Sequence, residues 1–207
     1  MYKDITGIIL AGGKSKRMGQ NKSLLKLGEK TVIERVAELM RGLFAKVALS
    51  ANEKSCYEFF GLEIIEDIFK DIGPLGGIHS ALMNSHTKKN FVISCDIPLM
   101  TKEMIEFIVN YPTDKLITVA KADGFIQQLC GLYSKKCLPK IEEILIDNLN
   151  SVGSSEGEKC KCKVLQLVKE TPAEIIDVEK EFPNYKAGVF LNMNNPNDYQ
   201  KVMSDIV

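Results

Sequence analysis

Short apolar runs rich in β-branched residues alternate along the chain with longer segments whose apolar positions fall at helical spacing. "ITGIILA" (5–11) reads as a strand. "TVIERVAELMRGLF" (31–44) reads as a helix with Val32, Val36, Leu39, Met40 and Leu43 near one face, and "KVALSA" (46–51) returns to strand. A helical pattern over 53–60 precedes the strand "LEIIED" (62–67). The helix "GIHSALMNSH" (77–86) precedes "NFVISCD" (90–96), whose unbroken apolar run suits a strand covered on both faces. "TKEMIEFIVNY" (101–111) is a helix with Thr101 as its N-cap, and "KLITVAKA" (115–122) is a further strand.

This alternation predicts an α/β protein: a doubly wound, mostly parallel sheet with right-handed crossovers and helices on both faces. The second half is less regular. "QLCGLYS" (128–134) reads as a strand, "KKCLPKIEEILIDNL" as a helix with Pro139 near its start, and "NSVGSSEGEKCKCK" as a polar loop. "GVFLNMNNPNDYQKVMSDIV" reads as a strand, a turn and a last helix opened by Pro196. With no repeat and no linker, residues 1–207 are expected to form a single domain.

Composition narrows the class only a little. The 207 residues are 45% hydrophobic and 26% charged, ordinary for a folded chain. Lys plus Arg and Asp plus Glu both number 27, so no overall positive field exists to hold a nucleic acid. Apolar stretches such as 7–10 and 91–93 fall far short of the ~20 residues that span a bilayer, and "MYKDITG" lacks the apolar core of a signal peptide. The expectation is a cytoplasmic protein with neither membrane nor nucleic-acid partners. Six cysteines at 56, 95, 130, 137, 160 and 162 are irregularly spaced, so disulfides are not expected. The Cys160/Cys162 pair has no second Cys or His cluster to complete a metal site.

Ligands of doubly wound sheets sit beyond the carboxyl ends of the strands, which directs attention to "LAGGKSKRMGQNK" (10–22). Gly12 and Gly13 bare the backbone to phosphate oxygens, and Lys14, Lys16, Arg17 and Lys22 supply cations. A Walker loop fails, because Gln20 and Asn21 stand where Lys and Ser/Thr belong. A dinucleotide fingerprint fails too, because the second strand ends "LSANE" rather than on an acidic residue that would hold a ribose. Asp96, after a buried strand, is placed either to hold Mg²⁺ against phosphate oxygens or to serve a turn before Pro98. Asn192 and Asn194 share one face if their segment is a strand, and otherwise belong to a turn leading into the last helix. His79 reads as a structural helical histidine.

The first stretch resembles, residue for residue, the L-A-G-G-x-S-x-R-M-G-x-x-K pattern of nucleotidyltransferases related to the sugar-phosphate nucleotidylyltransferases. Leu10, Ala11, Gly12, Gly13, Ser15, Arg17, Met18, Gly19 and Lys22 stand in their places. "CDIP" (95–98) resembles the metal-binding segment of the same group. "IIEDIFKDIGPLGGIHSAL" and "VFLNMNNP" resemble segments of the molybdenum cofactor guanylyltransferases. The resemblance implies a Rossmann-like nucleotidyltransferase fold and transfer of GMP from GTP to molybdopterin, releasing pyrophosphate with Mg²⁺ as cofactor.

It implies roles as well. Arg17, Lys22 and Asp96 are the expected catalytic residues, with Asp96 on the metal. Leu10, Ala11, Gly12, Gly13, Lys22, Ser50, Asn52, Asp67, Pro74, Leu75, Gly76 and Asp96 are expected at the nucleotide, and Asn192 and Asn194 at the pterin acceptor. Transient contact with proteins that supply molybdopterin or receive the product is implied too. The competing readings are a nucleotidyltransferase of the same fold using CTP with molybdopterin or a sugar- or polyol-phosphate acceptor, and a non-catalytic nucleotide-binding adaptor.

Overall fold

Six consecutive residues, Ile5 to Leu10, are buried, which marks their strand as central and covered on both sides. The computed structural model to which this strand belongs describes residues 1–12, 22–152 and 163–206. In chain order its elements are β1 (Tyr2–Leu10), β2 (Lys26–Leu27), β3 (Lys30–Thr31), α1 (Val32–Leu43), β4 (Phe44–Ser50), β5 (Glu63–Ile65), α2 (Pro74–Asn84), β6 (Lys89–Ser94) and α3 (Lys102–Asn110). There follow β7 (Ile117–Ala122), β8 (Phe125–Ser134), α4 (Leu138–Val152), α5 (Val164–Glu170), β9 (Ala173–Asp177), α6 (Val178–Glu181) and α7 (Pro196–Ile206).

Seven strands form one sheet in the order β5-β4-β1-β6-β8-β7-β9. All neighbours run parallel except β8, which is antiparallel to both β6 and β7. Strand alternation splits the core in two. Ile9, Phe91 and Ile93 face α1 and α3, while Ile8, Leu10 and Val92 face α2, α4 and α5. The helices begin where their side chains can satisfy free amides. Thr31 and Glu34 form a capping box at α1, with the Thr31 N–H donating to Glu34 Oε2 at 2.6 Å. Thr101 Oγ1 accepts from the Met104 N–H at 3.2 Å, as the sequence predicts for α3.

Three local expectations are corrected, and one element was not anticipated. Residues 53–60 form two 3₁₀ turns, Lys54–Cys56 and Glu58–Phe60, instead of a helix. Eight residues nucleate a helix poorly, and Tyr57 turns inward to become fully packed. The strand expected at the start of "GVFLNMNN" is absent: 187–190 are turn and 191–194 belong to no regular element, with the Met193 N–H donating to the Asp96 carbonyl at 2.9 Å. The strand read at 128–134 begins earlier, at Phe125, and runs antiparallel to its neighbours. The β2–β3 hairpin at Leu27–Lys30, turning on Gly28 with φ of 69°, went unread. It seats Leu27 and Val32 against Met193 and Val202, which fixes α7 beside the phosphate-loop exit.

Candidate functional site

One hydrogen-bonding row organises the site. Ile65 pairs with Ser50, Ser50 with Leu10, and Leu10 with Ser94, so four parallel strands end in register. Two residues beyond that row, each strand delivers a group: Asp67 after β5, Asn52 after β4, Gly12 after β1 and Asp96 after β6. Three strand spacings of about 4.8 Å make a front of roughly 14–15 Å, the length scale of an extended nucleoside triphosphate. The front also lies where strand order reverses about β1, the crevice at which doubly wound sheets take ligands.

At one end of this front, Asp67 is clasped by its neighbours. Asn52 Nδ2 donates to Asp67 Oδ2 at 2.9 Å, the Asp67 N–H donates to Asn52 Oδ1 at 3.0 Å, and Ser50 Oγ donates to Asp67 Oδ1 at 3.3 Å. Burial raises the Asp67 carboxyl above the ordinary aspartate value, against the opposing pull of the Asn52 and Ser50 donors. The result is a fixed carboxylate at the edge of the crevice. Asp67 does not cap a helix, because α2 begins later, with Gly73 (φ of 91°) as its N-cap and Pro74 at its first turn.

Close approach explains the glycine in the next turn. A Cβ on Gly77 would lie 2.7 Å from Ser50 Oγ and 3.4 Å from Asp67 Oδ1. Gly77→Ala therefore has to push Ser50 off Asp67. We expect about a tenfold loss of nucleotide affinity by titration calorimetry, the scale of one displaced hydrogen bond near a charge. Unchanged affinity would show that the Ser50–Asp67 pair is idle in binding.

At the other end stands Asp96. Its carbonyl is held by Met193, while its Oδ1 is buried with no hydrogen-bond partner. Beside it the Cys95 thiol is pushed well up by burial and by the Asp96 charge, so it stays protonated and inert. Lys22 Nζ donates to Asn194 Oδ1 at 3.0 Å, joining the exit of the phosphate loop to the segment before α7. Asn192 stays half-buried and donates to the Phe190 carbonyl at 3.2 Å.

The structure thus brings Gly12, Lys22, Ser50, Asn52, Asp67, Asp96 and Asn194 to one edge of the sheet. Gly13 and Arg17 lie outside the described residues, as do Cys160 and Cys162. The side chains of Leu10 and Leu75, at 7% and 0% exposure, are core, one on the α2 side of β1 and the other on the buried side of α2, so each could meet the nucleotide only through its backbone. Ala11 offers no amide, since its N–H donates to the Ser50 carbonyl at 2.9 Å. Pro74 is exposed and Gly76 buried, where a Cβ would meet the Phe69 carbonyl at 2.7 Å. His79 is buried in α2, edge-on to Phe69 with centroids 5.1 Å apart and 3.3 Å from Glu142 Oε1. Among the described residues no group of three His, Cys, Asp or Glu side chains could cage a metal.

Sequence reasoning missed Tyr57 and Ser23. Their hydroxyls lie 2.9 Å apart, and Tyr57 Oη also donates to the Ala11 carbonyl at 3.3 Å. The available signal was an aromatic side chain in the polar stretch "ANEKSCYEFFG", just after a strand that ends at the crevice.

Residues 7–158 match the MobA-like NTP transferase domain family. A probable molybdenum cofactor guanylyltransferase of Carboxydothermus hydrogenoformans is 35% identical over 202 residues, covering 97% of this chain and 96% of the relative. One from Clostridium perfringens is 33% identical, covering 94% of each chain. The solved structure of molybdopterin-guanine dinucleotide biosynthesis protein A from Archaeoglobus fulgidus superimposes with a TM-score of 0.78 at 22% identity, covering 97% of this chain and 98% of that one.

Proposed function

The chain belongs to the MobA-like NTP transferase family, and from that premise we propose that it transfers GMP from GTP to molybdopterin. A terminal phosphate oxygen of molybdopterin attacks the α-phosphorus of GTP, the bond to the β-phosphate oxygen breaks, and pyrophosphate leaves with its electron pair. The observation that carries this reading is the in-register front of Asp67, Asn52, Gly12 and Asp96. It suits a nucleoside at the Asp67 end and phosphates toward Gly12 and Asp96.

The nucleophile is already anionic, so no general base is required, and catalysis rests on alignment and charge neutralisation. The Gly12 and Gly13 backbone, Arg17 and Lys22 hold the phosphates. Asp67, Asn52, Ser50 and the Gly73–Gly77 segment that opens α2 position the nucleoside, while Asn192 and Asn194 meet the pterin acceptor. Mg²⁺ fits Asp96, since that ion takes one or two carboxylates plus phosphate oxygens and water, and the buried Oδ1 otherwise lacks a partner. When bound there it supplies positive charge at the reacting phosphates.

Among the described residues no helix is long and apolar enough to cross a membrane. We place the reaction in the cytoplasm, in transient contact with proteins that supply molybdopterin or receive the dinucleotide.

The test is a thermal shift series with the four NTPs and Mg²⁺. GTP alone should raise the melting temperature by several degrees, since ligand at 100 times its Kd stabilises by about 2.7 kcal/mol. An equal or larger shift with CTP would overturn guanine selectivity, and no shift with any NTP would overturn the nucleotidyltransferase reading.

A further inference from the structure

Ala11 follows β1, and Ser23, in the Lys22–Leu24 turn, comes after the eleven residues 12–22 in sequence. Both ends meet at one side chain. Tyr57 Oη lies 3.3 Å from the Ala11 carbonyl and 2.9 Å from Ser23 Oγ, although Tyr57 is 46 residues from the first and 34 from the second.

The direction of this chain follows from proton counting. A carbonyl only accepts, so the phenol's single proton goes to Ala11, and the Ser23 hydroxyl donates to Tyr57. The anchor itself is firm. The ring is only 2% exposed, the Tyr57 N–H donates to the Lys54 carbonyl at 2.8 Å, and the Phe60 N–H donates to the Tyr57 carbonyl at 3.1 Å. The Ala11 side is equally fixed, because its N–H is held by Ser50 of β4.

We propose that Tyr57 is a positioning residue that staples the two ends of the triphosphate loop through its hydroxyl, holding Gly12 and Lys22 in register for phosphate. The proposal rests on the nucleotidyl-transfer reading for its ligand, but not on guanine. Tying Ala11 and Ser23 to one anchor sets the positions of Gly12 and Lys22 before the ligand arrives, and that preorganisation appears as affinity and alignment. Tyr57 touches no substrate; it acts through the backbone of Ala11 and the side chain of Ser23.

The test compares wild type, Tyr57→Phe, Ser23→Ala and the double variant, with magnesium tripolyphosphate and Mg·GTP as probes in titration calorimetry. Tyr57→Phe keeps the buried ring and removes only the hydroxyl. We expect each single variant to bind tripolyphosphate about tenfold more weakly, and the double variant no more weakly than either, since both break one hydrogen-bonded chain. In turnover, kcat/KM for GTP should fall by a similar factor while KM for molybdopterin stays put. Amide exchange should accelerate in peptides covering 12–22 and nowhere else.

Wild-type binding of tripolyphosphate by Tyr57→Phe, or exchange that rises evenly through the protein, would overturn the staple. So would failure of the wild-type protein to bind tripolyphosphate at all. Wild-type protein that binds tripolyphosphate yet takes CTP as well as GTP would refute the guanine reading and leave the staple standing.

Discussion

Asp96→Asn is expected to abolish metal-stimulated turnover, a loss of at least about 10³-fold, in a protein that still folds. The separation of effects comes from how Asp96 is held. Its structural work is done by the main chain, where the carbonyl accepts from Met193 and the adjoining Cys95 N–H donates to the Leu10 carbonyl at 3.0 Å. The carboxylate contributes no comparable contact, and its Oδ1 is buried without a partner. Replacing it by an amide therefore removes the charge, keeps the shape and breaks neither of these main-chain bonds, and the ligand-free melting temperature should stay nearly level. Manganese titrated with GTP present and followed by electron paramagnetic resonance gives a readout apart from turnover: the variant should lose the nucleotide-dependent binding. A variant still fully stimulated by Mg²⁺ would place the metal elsewhere.

The parts of this design that were legible in advance are those in which neighbouring residues obey one rule. The runs 5–11 and 90–96 announce buried parallel strands because both faces need apolar side chains. Thr101 announces α3 because a β-region hydroxyl is what free helical amides demand. The glycines and cations of 10–22, and Asp96 after β6, announce a phosphate site because the chemistry sits in consecutive residues. Contacts made across the fold were less visible. Alternation identifies β8 as a strand but says nothing of its direction, which depends on how the chain returns from β7. Asn192 and Asn194 carry strand-like spacing, yet no strand edge is offered to them, so the segment bonds to Asp96 instead. Leu10 and Leu75 sit inside site motifs, but β1 and α2 turn them into the core. Tyr57 was hidden because its partners are 34 and 46 residues away.

Lys22→Ala should lower turnover by about 10²–10³-fold, or ~3–4 kcal/mol of transition-state stabilisation, with little change in melting temperature. Two unit charges 4 Å apart attract by about 1 kcal/mol in bulk water and about 4 kcal/mol at the effective dielectric of a protein surface, so the size of the loss depends on where the amine sits. Lys22 is half-buried, close enough for its charge to act on Cys95, the neighbour of Asp96. Its bond to Asn194 Oδ1 spans 172 residues of sequence but ties an exposed amide, so losing it costs the fold little. Negative charge on the leaving pyrophosphate grows between bound GTP and the transition state, and a cation placed there stabilises the second more than the first. The loss should accordingly fall mainly on kcat, with KM for GTP raised only a few-fold. Lys22→Arg keeps the charge and should recover part of the rate. Wild-type turnover in Lys22→Ala would remove Lys22 from the catalytic set, and a loss confined to KM would make it a ground-state phosphate contact only.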